Sequence, residues 1–188
     1  MPPWEDGDVY TLRCTGKLLA RLGPVTEVAR EPPTTVLGDW YGTLVYAPGM
    51  QLVLLVSERT LLPLVVPARE ARTLPERIPV ALSRALAQLG VSLAAIDREV
   101  QSMAGPRIGK TAGRQILGSM NDFRQMMMAH PWPPASLTAL SLELAEAPCG
   151  PIGMQSPDDL TRELFAAVGW KRTQGAVLTP ELIRTPKE

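Results

Sequence analysis

Two runs rich in β-branched, aliphatic and aromatic residues, DWYGTLVYA and MQLVLLVSE, flank Pro48-Gly49 and predict a β-hairpin turning at Ala47 to Met50. Val9 to Thr15, VYTLRCT, alternates as a short strand, and the helix formers of Gly16 to Leu22 follow it and close at Gly23-Pro24. Leu61 to Ala68, LLPLVVPA, is a further strand. Its Pro63 and Pro67 cannot donate to a ladder, which places it at a sheet edge or makes it short. Glu27 to Thr35 reads as a loop punctuated by Pro32-Pro33.

Helical spacing dominates the second half. Ile78, Leu82, Ala85, Leu86 and Leu89 recur at three- and four-residue intervals up to Gly90, which predicts an amphipathic helix with Pro79 in its first turn. Leu93 to Met103 reads as a second helix with a weaker apolar face. Between Ala129 and Gly153 lies a proline-bounded connector with one helix at Leu137 to Ala145, and a subdomain boundary is expected there. Ser156-Pro157-Asp158-Asp159 is a strong helix start: a capping hydroxyl, a proline at the first position, and acids where the macrodipole favours them. Leu160, Leu164, Phe165 and Val168 then line one face, and Gly169 is expected to end the helix. The pattern as a whole predicts an α+β fold, a mainly antiparallel sheet of about four strands with helices packed on one face. The expected division is a core domain, residues 1–130, and a helical C-terminal extension, residues 131–188.

Composition narrows the chemistry. A chain of 188 residues is long enough to build its core without staples. Two cysteines, Cys14 and Cys149, and one histidine cannot assemble the ligand sets of structural zinc, so neither metal nor cofactor is expected. Net charge is zero, unlike that of a dedicated nucleic-acid binder, but residues 107–124 hold four bases against one acid. The acidic start MPPWEDGD has no apolar run, and QLVLLV and LLPLVV are far too short to span a bilayer. A soluble, cytoplasmic protein without a membrane partner is the expectation.

The first eight residues of AGPRIGKTAGRQILGSMNDF, Ala104 to Phe123, fit the relaxed phosphate-loop pattern. The context argues against a phosphate loop. A polar, helix-like run precedes Ala104 where a buried strand is needed, Pro106 removes an N–H donor, and no later apolar strand ends in Asp. A better parse makes Arg107 to Leu117 a strand, Gly118 a turn and Ser119 the cap of a helix with Asp122 at its third position. Met120, Phe123 and Met127 then face a core. The exposed N–H groups of such a turn, at Gly118, Ser119 and Asn121, would form an anion site with Arg13, Lys17, Lys110 and Arg114.

Other constellations read more blandly. Asp39-Trp40-Tyr41 opens the hairpin as half core and half rim, or as a weak stacking platform for a base. His130 sits at a helix end, where a capping role accounts for it.

Three stretches, LRCTGKLLARLG, TTVLGDWYGTLV and GKTAGRQILGSMNDF, resemble a family of small, mostly bacterial proteins known only as a domain of unknown function. The resemblance runs from Val9 to Met128. It is most specific at Lys110, Thr111, Arg114, Leu117, Gly118, Ser119, Met120, Asn121 and Asp122, whereas a small polar residue is usual in that family where this chain has Gly113. It implies a compact unit ending near Met128 and no particular activity. The leading expectation is therefore a non-catalytic binding or regulatory module for an anionic partner, nucleic acid or a phosphorylated ligand. The alternatives are a protein-interaction domain using the edge strand Leu61 to Ala68, and a small enzyme in which Asp122 and Asn121 act with Lys110 and Arg114 on a phosphate or carboxylate substrate.

Overall fold

The computed structural model describes residues 9–26 and 32–173; the expected loop at Glu27 to Thr35 therefore lies partly outside the described residues. The fold is α+β. One mixed five-stranded sheet, in the order β4-β3-β2-β1-β5, is built from β1 (Thr11–Cys14), β2 (Trp40–Ala47), β3 (Met50–Ser57), β4 (Pro63–Pro67) and β5 (Arg107–Lys110). The helices are α1 (Gly16–Leu22), α2 (Leu74–Gln88), α3 (Leu93–Gln101), α4 (Arg114–Ala129), α5 (Leu137–Ala145) and α6 (Pro157–Thr173).

The hairpin forms as the pattern predicts. Ala47 pairs with Met50 across Pro48-Gly49, and Gly49 takes φ +77, a conformation that glycine adopts without steric cost. The expectation of a mainly antiparallel sheet is corrected in detail. β2, β3 and β4 are antiparallel neighbours, but β1 pairs in parallel with both β2 and β5. A helical crossover between strands permits this, and strand alternation alone does not encode it.

Helices on one face only is a second expectation that the structure overturns. Leu12, Cys14, Trp40, Leu44, Val53, Leu55, Leu64 and Val66 pack on one side against α1, α2, α3 and α6. Tyr41, Val45, Leu52, Leu54, Val56 and Val65 pack on the other against Met120, Phe123 and Met127 of α4 and Leu140 and Leu144 of α5. The physical reason is visible in LVLLV, Leu52 to Val56. A run apolar at every position, buried throughout, suits a strand covered on both faces and not a half-solvated one.

Beyond residue 130, α5 lies against the outer edge of the sheet. Ser136 Oγ accepts the Ala139 N–H at 2.9 Å and starts the helix, and Ser141 Oγ accepts the Val65 N–H of β4 at 2.8 Å. That bond satisfies a donor an edge strand would otherwise expose. α6 starts at Pro157 with Asp158 and Asp159 in its first turn, and it continues through Gly169 to Thr173 instead of stopping there. Thr161 of α6 joins a buried hydroxyl chain, donating to Thr60 at 2.9 Å, with Thr60 and Ser57 bonded at 3.0 Å. α2 also begins one turn earlier than its apolar spacing predicts, at Leu74, so Pro79 lies inside the helix.

Candidate functional site at the carboxyl ends of the parallel strands

The largest revision falls on residues 107–122. The strand expected to run to Leu117 ends at Lys110, and α4 already begins at Arg114. Gly113, at φ +98, makes the bend between them. Gly118, Ser119 and Asn121 therefore sit inside α4, where their backbone N–H groups belong to the helical ladder and not to an open turn. Ser119 caps nothing. It is buried, and its hydroxyl donates to the Gln115 carbonyl at 3.3 Å. Propensity around Gly113 and Gly118 disfavours helix, and the packing of Met120, Phe123 and Met127 against the sheet overrides it.

Arg13 is also removed from the site. Its Nε donates to Asp39 Oδ2 at 2.8 Å, and the two side chains are each only 4% exposed. The other Asp39 oxygen accepts the Thr11 N–H at 2.8 Å, so Arg13 and Asp39 fasten β1 to the entry of β2. Asn121 accepts from Arg124 on the exposed side of α4. Asp122 is exposed on the same helix, and it reinforces burial, the larger cause, in raising the neighbouring Cys149 thiol above its ordinary range. Neither residue stands with Lys110 at the strand end.

Lys17, Lys110 and Arg114 all lie at or a few residues beyond the carboxyl ends of β1 and β5. β1 and β5 are adjacent parallel strands, with Cys14 level with Lys110. Paired residues of parallel strands project to the same side, so Lys110 shares the face of Cys14, which is the face α1 covers. Lys17 lies three residues beyond Cys14 in α1, and Arg114 opens α4 on the opposite face. The chain thus leaves β1 toward one side and β5 toward the other, the topological switch at which open α/β sheets form a crevice outside their strand ends. The side chains of Lys17, Lys110 and Arg114 are exposed and make no hydrogen bond or ion pair among the described residues.

Two hydroxyls lie at the end of β1 and in the neighbouring β2. Thr15, whose N–H donates to the Gly42 carbonyl at 3.0 Å, has its hydroxyl 3.1 Å from that of Thr43. α4 has neither a side-chain cap nor an acid in its first turn, which leaves the positive end of its dipole uncompensated at this crevice. Cys14, beneath α1, is buried, and its thiol is pushed up to about 12 by that burial. It is therefore a core residue held in the thiol form, not a nucleophile.

The remaining predicted positions are structural. Trp40 and Tyr41 are fully buried on opposite faces, so neither offers a stacking surface. His130 follows α4 as its C-cap, with its ring nitrogens 2.7 Å from the Pro131 carbonyl and from Glu143 Oε2. Among the described residues, no group of three or more His, Cys, Asp or Glu side chains is placed to hold a metal ion, and no helix is long and apolar enough to cross a membrane.

Sequence reasoning missed Thr15 and Thr43, because their adjacency depends on the parallel pairing of β1 with β2. It also gave Arg13 the wrong role. Its partner, Asp39, is 26 positions away in the chain, a distance that local spacing does not reveal.

No curated protein and no solved structure matches the chain. A family model does, over residues 11–160, well past the Met128 at which the resemblance of the three motifs ends. That match takes in the five strands, α1 to α5, and the start of α6, so the chain belongs to the family described as Domain of unknown function (DUF6933).

Proposed function

We propose that this protein is a non-catalytic binding module for a phosphate-bearing anion, seated at the carboxyl ends of β1 and β5. The observation that carries the reading is the placement of Lys17, Lys110 and Arg114, their side chains exposed and unpartnered among the described residues, just at or after the ends of two adjacent parallel strands. Cations at that position attract an anion, and the uncapped start of α4 adds to the same field. The neighbouring hydroxyls of Thr15 and Thr43 supply neutral donors for phosphate oxygens.

The alternatives have less support. An enzyme built on Asp122 and Asn121 would need them beside Lys110, and they lie two turns into α4. A partner strand added to β4 would meet α5, whose Ser141 already holds the Val65 N–H.

The test is calorimetric titration of the protein with pyrophosphate and with a 5′-phosphorylated thymidine dinucleotide, at low and moderate salt. The expected result is binding that weakens steeply with salt and is lost in Lys110→Ala/Arg114→Ala, with the thermal transition unchanged. Equal affinity in the double variant would remove the site.

A further inference from the structure

The cations at this end of the molecule continue beyond the strand ends. Lys17 and Arg21 are four residues apart in α1, a spacing that places them on one side of the helix. Arg21 Nη1 donates to Gln51 Oε1 at 2.8 Å, which ties the far end of α1 to the tip of the hairpin. Gln51 pairs across the hairpin with Tyr46, and such partners project to the same side of the sheet. That side is the one α1 covers, because Leu44 and Val53 next to them lie in the core beneath it. Tyr46 is 52% exposed there. Five and six positions earlier, Tyr41 and Trp40 are buried, so this ring is the aromatic of the strand that remains available to a ligand.

Past Gln51 opens a cavity of about 990 Å³, with Met50, Pro67 and Ala68 as its apolar part, Arg21, Arg69 and Arg72 as its cations and Glu70 as its one acid. The loop that carries the last two is firmly built. Arg77 donates to the carbonyls of Pro67 at 2.8 Å and Arg69 at 2.7 Å, and its Nε donates to the Thr73 hydroxyl at 3.1 Å. Glu70 is held at φ 51, a left-handed conformation that a non-glycine residue keeps only when its surroundings enforce it. Here the Thr73 N–H and hydroxyl both donate to its carbonyl, at 2.8 and 2.9 Å. Arg77 is thus consumed in holding the backbone, whereas the side chains of Arg69 and Arg72 are exposed and make no hydrogen bond or ion pair among the described residues.

The result is a path of cations, Lys110, Lys17, Arg21, then Arg69 and Arg72, with an exposed aromatic ring beside its middle and an apolar patch at its end. Repeated cations interleaved with flat apolar surface match the alternation of phosphate and base along an unpaired nucleotide strand. A duplex hides its bases and has no use for the ring. We infer that the ligand of this module is single-stranded nucleic acid, whose phosphates run from Lys110 and Lys17 past Arg21 to Arg69 and Arg72 while a base stacks on Tyr46. The inference rests on the anion-site reading given above and extends it from one phosphate to a strand.

The experiment is a fluorescence-anisotropy titration of fluorescein-labelled oligo(dT) and oligo(U), each about twelve nucleotides long, beside a duplex of equal length and the phosphorylated dinucleotide. Arg69→Ala/Arg72→Ala is expected to weaken the long single strand about tenfold and to reduce its salt slope by about 1.4, while the dinucleotide binds as before. Tyr46→Ala is expected to cost at least about fivefold, with Tyr46→Phe restoring the affinity. All three side chains are exposed, so these variants keep the fold. A duplex that binds as tightly as the single strand overturns the inference. So does unchanged strand affinity in the Arg69/Arg72 and Tyr46 variants, and if Lys110→Ala/Arg114→Ala still loses the dinucleotide, the anion site survives alone. If that variant also binds everything normally, both readings fall.

Discussion

Two regions of this molecule are rich in charge and use it in opposite ways. Around the entry to β2, the buried charges among the described residues have partners. Arg13 holds Asp39, Glu58 accepts the Asp39 N–H at 3.1 Å, and Arg59 donates to the Thr35 and Val36 carbonyls at 3.0 Å. Glu99, only 2% exposed, accepts the N–H groups of Val36 and Leu37 at 2.7 and 3.0 Å. At the carboxyl ends of β1 and β5, by contrast, Lys17, Lys110 and Arg114 are exposed and unpartnered among the described residues. A buried charge must be paired to be tolerated, so the first group tells of the fold. An exposed charge adds little to stability, so the second group is free to serve a ligand.

The comparison breaks most visibly at Arg13. Arg13→Met keeps apolar bulk but leaves Asp39 buried without its cation, and it is expected to cost about 3–5 kcal/mol in denaturant unfolding. A loss below about 1 kcal/mol would mean that the pair is dispensable and that Arg13 is available for another role.

Glu99→Gln is expected to cost less, about 1–3 kcal/mol, because the amide can satisfy only one of the two N–H donors with its oxygen. It also carries a pH signature. Burial raises the Glu99 carboxyl above its ordinary range, against the opposing pull of the Leu37 and Val36 N–H groups and of Arg59. A raised native value means that the folded state binds the proton more tightly than the unfolded chain. The associated stability is complete below the unfolded carboxyl range, about pH 4, and is lost as pH rises through the native value. Melting temperatures followed across that interval should fall in the parent and stay flatter in Glu99→Gln; parallel curves would contradict the assignment.

A smaller effect concerns the helix that joins the two regions. Cys14 lies beneath α1 with its thiol pushed up to about 12 by burial, whereas Cys149 is only partly buried. At mildly alkaline pH, alkylation should label Cys149 first and reach Cys14 only through opening of the fold. Lys17→Ala should change neither that order nor the unfolding free energy by more than about 0.5 kcal/mol. Rapid labelling of Cys14 in the variant would show that Lys17 has a structural duty.

Much of the fold was legible because it depends on local signals. The hairpin, α1, α3, α5 and the start of α6 follow from turn residues, caps and apolar spacing. The parallel placement of β1 and the double-sided burial of the sheet depend on pairing between distant segments, which periodicity does not record. For the site, Lys17, Lys110 and Arg114 were recognisable by their charge, but Lys110 and Arg114 were read as lying along a strand that in fact ends at Lys110. Arg13 was misread because its partner is remote in the chain, and Gly118, Ser119 and Asn121 because glycine and serine imitate a helix start where packing continues the helix. Tyr46 went unnoticed for a related reason. Its exposure follows from β1 ending level with Gly42, so that β2 runs on beyond it paired with β3 alone.

The central claim, that unpaired charges serve a ligand while paired ones serve the fold, is tested most directly by measuring two quantities on Lys110→Ala/Arg114→Ala. These are its unfolding free energy and its affinity for labelled oligo(dT) at low salt. The account predicts stability within about 0.5 kcal/mol of the parent and binding reduced beyond detection. A variant that unfolds easily, or one that binds as the parent does, would contradict it.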